Sequence, residues 1–346
     1  MNAVEKTIRG LDRWQQRHKA SAFMFGVVKK YGDDNAGQLA ASLTHTGFVT
    51  LFPLLLVLTT IVGLISAGDA ALRNSVKNAV AGQFPDIGTQ LTHNVGTLQR
   101  SSLIGLIVGL LIVIWGTSGL AQSAMFAMAQ VWNIPGPHRP GYVQRLARSG
   151  VFLAGLLVGV LATTALASLN TISHQNPAFL GGADTLALIV NVGTYILAFR
   201  VLTPNGVPTK NLLPGAFIAG VLWTALQAGG TLVVKHYLHS ESVYHIFAIV
   251  LALIAWIYLL VQITLYSAEI NVVLARRLYP RSMMQPPLTE ADRAALALQP
   301  LQNQRRQEQR VEVTFTDRPE SQDAPAGTPK VPSDVSPPAR RSGPDG

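Results

Sequence analysis

Apolar residues gather along this chain into six long runs separated by polar breaks, at about residues 39–66, 102–130, 150–169, 185–202, 212–234 and 243–275. A helix needs about 20 largely uncharged residues to cross a hydrocarbon core of roughly 30 Å, and each run is long enough, with the second and sixth exceeding the span and expected to tilt or project into the cytoplasm. Formal charge inside the runs is confined to Arg200 and Glu269. Hydrocarbon offers backbone N–H and C=O groups no partners, so such runs are helices, whose hydrogen bonds close within the segment. The pattern predicts an all-α polytopic membrane protein built as a bundle of six transmembrane helices.

The polar positions divide the remainder. Residues 1–38 form a basic segment in which Val4, Ile8, Leu11 and Trp14 recur at helical spacing while Lys6, Arg9, Arg13 and Arg17 occupy the other faces. That is the pattern of an amphipathic helix lying on an anionic leaflet with its cations at the headgroups. Residues 39–280 make up the transmembrane domain. Residues 281–346 are rich in Pro, Gln, Ser, Asp and Arg and are expected to be a largely disordered tail, with one short helix over 289–298 starting at Thr289. The first 38 residues lack an apolar core ahead of a small-residue cleavage site, so the first run is expected to serve as an uncleaved insertion signal.

Charge then orients the bundle. If six helices alternate, 23 of the Lys and Arg residues fall on the side that holds both termini and 4 on the other; without the tail the ratio is still 12 to 4. Cytoplasmic segments collect Lys and Arg, which places both termini in the cytoplasm. The same bias explains a net charge of +9 without nucleic acid. Only 13% of residues are charged, whereas a soluble domain carries about a quarter.

Several local features bear on packing. Pro53 interrupts the first run and is expected to kink it near Val49, with Thr44, His45, Thr46 and Thr50 just before it. Gly105-xxx-Gly109 and Gly155-xxx-Gly159 allow close helix approach within the bundle. The external loop at about 67–101 shows helical spacing of Leu72, Val76 and Val80 and of Ile87, Leu91, Val95 and Leu98, broken at Pro85. It is the expected lid or partner surface.

Candidate chemistry is sparse. Glu269 is the lone acid in the runs, on the order of 10 Å from the cytoplasmic end, and reads either as an interhelical anchor or as a proton, cation or headgroup site. His45, Asn191, Gln227 and Gln262 are expected to face the bundle interior as polar partners. Arg9, Arg13, Arg17, Arg276 and Arg277 are the expected headgroup contacts. His236, His239 and His245 lie close in sequence with only Glu241 nearby, which is too little for a metal site. With no cysteine, no H-E-x-x-H, no G-x-S-x-G and no P-loop, no catalytic, cofactor or metal residue is assigned.

An ordered set of motifs resembles the YihY/BrkB/YhjD family of bacterial inner-membrane proteins. The set comprises Leu39-Ala40, the run Thr50-Leu51-Phe52-Pro53-Leu54-Leu55, Trp132-Asn133, Pro214-Gly215, and Ala255-Trp256-Ile257-Tyr258 leading to Ala268-Glu269-Ile270-Asn271, which adds Asn271 to the candidate residues. The family once carried a ribonuclease label; no acid or histidine constellation suited to RNA cleavage exists in this sequence. The resemblance implies a six-helix envelope-integrity protein of the inner membrane, with lipid-related transport and ion transport both suggested for relatives. The nearly uncharged bundle, the kinked first helix, the amphipathic external loop and the basic cytoplasmic faces favour a protein that moves or accommodates lipid or a lipid-linked substrate. Ion or solute transport through Glu269 is the alternative, and a non-transporting scaffold that recruits envelope proteins is the third reading.

Overall fold

The structure is a computed structural model that describes residues 3–65, 118–172, 177–237 and 245–315. Over these residues the chain is helical, with no strand among them. The helices are α1 (Ala3–Arg17), α2 (Lys19–Asp33), α3 (Ala36–Ile65), α4 (described over residues 118–131), α5 (Tyr142–Ile172), α6 (Pro177–Leu202), α7 (Leu213–Tyr237), α8 (His245–Arg276) and α9 (Glu290–Leu298).

Four stretches among the described residues are long and apolar enough to cross a membrane: Tyr142–Thr163, Thr185–Leu202, Leu213–Gly230 and Val250–Arg276. They fall within the last four predicted runs or overlap them closely. Their outward faces are as apolar as their inward ones, with Val151 and Val158 exposed on α5, Leu186 and Ile189 on α6, Phe217 and Leu222 on α7, and Leu251 and Leu259 on α8. A helix that is apolar all round has no aqueous face, and a bilayer supplies the solvent it needs. α3 runs through Pro53 as one helix. The side chain of Pro53, most of the second predicted span with Gly105 and Gly109, the predicted helices around Pro85, the side chains of His236, His239 and His245, and residues 316–346 lie outside the described residues.

The spans pack in chain order: α5 on α6, α6 on α7, and α7 on α8, which in turn meets α3 and α2. With lipid outside, packing rather than the hydrophobic effect holds them, and small residues set the distances. A Cβ on Gly155 would strike Leu197 and one on Gly159 would strike Thr194, both on α6, so this motif joins two helices of the same bundle. Gly215 lies against the Ser267 carbonyl and the Asn271 side chain, which brings the start of α7 onto α8.

Helix termination gathers the ends. α4 stops in a Schellman turn, with Asn133 at φ 50° and the Ile134 amide donating to the Ala129 carbonyl at 2.8 Å. Asn tolerates the left-handed region well. α8 stops the same way, with Arg277 at φ 53° and the Leu278 amide donating to Val273 at 3.1 Å. Arg276 then donates to the Trp132 carbonyl at 2.7 Å, and Asn133 Nδ2 donates to Asp34 Oδ1 at 3.1 Å. Arg148 donates to the Thr203 carbonyl at 3.1 Å, tying the start of α5 to the end of α6. The start of α3, the end of α4, the start of α5, the end of α6, the start of α7 and the end of α8 therefore lie at one face of the bundle.

The N-terminal segment holds two helices where one was expected. α2 packs Ala22, Gly26, Val27 and Lys30 inward and lies on α8. The tail also departs from expectation between 281 and 303. Arg281 and Ser282 are buried, α9 forms where predicted, and Thr289 and Asp292 close a capping box at its start. The order comes from charge pairing added to a small apolar contact, with Ala295 buried in the core and Leu298 packed against it, and composition alone shows neither. Arg281 bonds Asp33 at 2.5 Å and Asp292 at 2.9 Å, Lys29 bonds Asp292 at 2.9 Å, and Ser282 bonds Asp12 at 3.2 Å. Residues 281–303 thus strap α1 and α2 to the bundle face.

Candidate functional site

Two arrangements stand out where the helix ends converge. The first is a buried charge cluster. The end of α2 carries Lys30, the turn after it carries Asp34, and α8 brings Glu269 to meet them; all three side chains are buried. Lys30 Nζ pairs with the Asp34 carboxylate, donates to the Val131 carbonyl at 3.1 Å, and lies 3.6 Å from Glu269 Oε2. Among the described residues, no N–H or O–H donates to either Glu269 oxygen. The side chain of Asp34 stands against Glu269, carboxyl to carboxyl.

Above the cluster, Tyr258, Gln262, Tyr266 and Glu269 follow one another at helical spacing along one face of α8. Gln262 donates to the Tyr258 hydroxyl at 2.8 Å. Tyr31 of α2 stacks on Tyr266 with ring centres 4.0 Å apart and planes 7° from parallel. Burial, and after it the neighbouring Tyr266, push the Tyr31 phenol up to about 12, so it stays protonated and keeps a hydrogen to donate.

The second arrangement is an open apolar groove of about 360 Å³ between α1 and α2, lined by Leu11, Trp14, Met24, Phe25, Val28 and Met283 among others. Leu11, Trp14 and Met24 are 54%, 56% and 60% exposed. Arg13 and Arg17 are exposed on the same helix, Arg17 one turn beyond Trp14.

The predicted residues distribute as follows. Glu269 is in the cluster. Asn271 is a backbone anchor, accepting from the Gly215 amide at 2.7 Å and donating to the Leu212 carbonyl at 3.2 Å. Asn191 donates to Thr224 at 3.0 Å between α6 and α7, and Gln227 is half-buried on α7. His45 is exposed, contrary to expectation. The period of α3 turns Ala40, Leu43, Thr44 and Leu51 inward and leaves His45 on the outer face. Arg9 is drawn to Glu5 at 3.1 Å. Arg276 is committed to Trp132, which leaves Arg13, Arg17 and Arg277 as the exposed members of the predicted headgroup set. Lys30, Asp34, Arg281 and Asp292 were missed. Their signal was faint: a lysine and an acid four apart, Lys30 and Asp34, following an apolar stretch.

Comparison with known proteins places the chain. Residues 27–291 match the family described as virulence factor BrkB. The chain belongs to the BrkB family. A UPF0761 membrane protein of Psychrobacter sp. (strain PRwf-1) is 24% identical over 294 residues, covering 80% of this chain and 53% of that protein. A UPF0761 membrane protein of Alteromonas mediterranea is 24% identical over 258 residues, 71% of this chain and 85% of its own length. The inner membrane protein YhjD of Escherichia coli is 22% identical over 274 residues, 73% of this chain and 81% of its own. The chain thus spans about half the length of the Psychrobacter relative and most of the other two. No solved structure matches it. The matched region includes the second half of α2, the charge cluster and the start of α9, and leaves out all of α1.

Proposed function

We propose that this BrkB-family chain is a six-span protein of the bacterial inner membrane, with both termini cytoplasmic, that moves or accommodates lipid or a lipid-linked substrate and so contributes to envelope integrity. The observation that carries the reading is the groove between α1 and α2. Its apolar lining and exposed Arg13 and Arg17 lie on helices strapped to the face where the span ends meet. On this reading the partners are anionic lipid headgroups at the cytoplasmic leaflet, and envelope proteins at the external loop. No catalytic role is proposed.

The groove is tested by native mass spectrometry of protein released from membranes containing phosphatidylglycerol and phosphatidylethanolamine. The wild type should retain phosphatidylglycerol preferentially, and the Leu11→Glu, Met24→Glu double variant should retain about tenfold less, a change of about 1.4 kcal/mol. Equal retention by both proteins would contradict the reading. A second reading, ion or small-solute transport, is favoured by the polar stripe on α8 ending at Glu269; a pH- or cation-sensitive dye trapped in the same vesicles reports it.

A further inference from the structure

The charge cluster holds an arrangement that ordinary ion pairing does not explain. Two carboxyl groups, Asp34 and Glu269, stand against each other in a fully buried setting, and one ammonium, Lys30, serves both. The Lys30 ammonium is committed to Asp34 and to the Val131 carbonyl, and lies beyond hydrogen-bond distance from Glu269. Asp34 has further donors in Asn133 at 3.1 Å and Gln302 at 3.5 Å, whereas Glu269 has none. A buried carboxylate without donors is among the most costly groups a protein can hold, and two carboxyls in contact are accommodated when they share a proton.

We propose that Glu269 is an exchangeable proton site. In the conformation seen, it is the neutral acid, and its O–H donates to the Asp34 carboxylate. Lys30 balances the single remaining negative charge. The reaction is the transfer of one proton between Glu269 and water on the face where the helix ends meet; no other bond forms or breaks. Once the proton leaves, two carboxylates face one ammonium, and the end of α8 is pushed from the turn between α2 and α3, admitting water to neutralise the excess charge. The proton therefore closes the bundle at this face and its loss opens it.

The surroundings bear on this balance from every side. α2 presents Lys30 and Tyr31, the turn into α3 presents Asp34, and α8 itself presents Tyr266 and Arg276, whose charge acts on Asp34. α4 contributes the Val131 carbonyl and, just past its end, the Asn133 amide. The described length of α4, the inward face of α3 and residues 213–230 of α7 carry no charged side chain. Among the described residues, Lys30 is the one cation paired with Glu269. The inference is independent of what the protein carries.

The absence of cysteine makes the test clean, because one introduced thiol is the only thiol. Val131→Cys puts it at the fully buried residue whose carbonyl binds Lys30. Its labelling by a water-soluble maleimide is divided by that of the exposed Gln38→Cys variant, which removes the intrinsic pH dependence of the thiol. With Glu269 present the ratio should climb as pH rises from mildly acidic to mildly alkaline, by up to about tenfold per pH unit, the limit set by one proton. With Glu269→Gln, an uncharged mimic of the acid, it should stay low and flat. Infrared difference spectra of the otherwise unaltered protein supply a readout that does not depend on the Val131→Cys variant folding: a protonated-carboxyl stretch at low pH, absent in Glu269→Gln. A pH-independent labelling ratio, or the lack of that stretch, would overturn the proposal.

Discussion

Asn271 uses every hydrogen-bonding atom of its amide that the neighbouring backbone can reach. Its oxygen takes the Gly215 amide and its nitrogen serves Leu212, so the start of α7 is fixed to α8 by one side chain. An unsatisfied buried polar group costs about 1–3 kcal/mol. Asn271→Ala should therefore lower stability by roughly that amount, seen as a lower thermal midpoint in detergent. Gly215→Ala should do at least as much harm, since its Cβ would enter the Ser267 carbonyl, while Gly182→Ala, which meets nothing within 4 Å, should leave the midpoint unchanged. Equal midpoints for all three variants would contradict this packing. The residue scale is also where the sequence was hardest to read. Glu269 could be singled out because charge in an apolar run is conspicuous. Lys30 and Asp34 could not, because in sequence they look like ordinary solvated residues beside a turn.

α9 and the strap before it show how charge pairing orders a polar segment that buries only a few apolar side chains. Burial on its own raises the Asp292 carboxyl. The donors Lys29, the Ser282 amide, Arg281 and Thr289 outweigh that and hold it down at about 2, against an ordinary value of 3.8. A carboxyl lowered on folding contributes stability that is fully present above its unfolded value and disappears as pH falls through its folded one. The strap's contribution should thus be intact at neutral pH, decline below about pH 4, and be gone near pH 2. The thermal midpoint of the wild type should fall across that interval more steeply than that of Asp292→Asn, which has already lost the charge. Parallel curves would rule Asp292 out as the acid-sensitive clasp. Element positions were legible where physics is simple: apolar runs long enough to span and a helix start at Thr289. The second helix of the N-terminal segment was not, because α2 buries one face on α8 and leaves Met24 and Val28 exposed on the other. Its apolar residues show no single stripe.

At the scale of the whole molecule, six helix ends meet at one face, and that face carries α1, α2 and the strap. The apolar faces of the spans need lipid around them, and on the proposed reading the groove takes a lipid as well. On the proposed topology, the charge asymmetry of the sequence puts this face in the cytoplasm. Substrate was beyond the reach of sequence, because the groove is made by Leu11 and Trp14 meeting Met24, Val28 and the distant Met283. The most direct measurement is movement of a fluorescent anionic phospholipid across proteoliposomes holding the wild type, the Leu11→Glu, Met24→Glu variant, or no protein. The account predicts translocation faster than in empty vesicles with the wild type and loss of that excess in the variant. A wild-type rate equal to that of empty vesicles, with the protein folded and inserted, would contradict it.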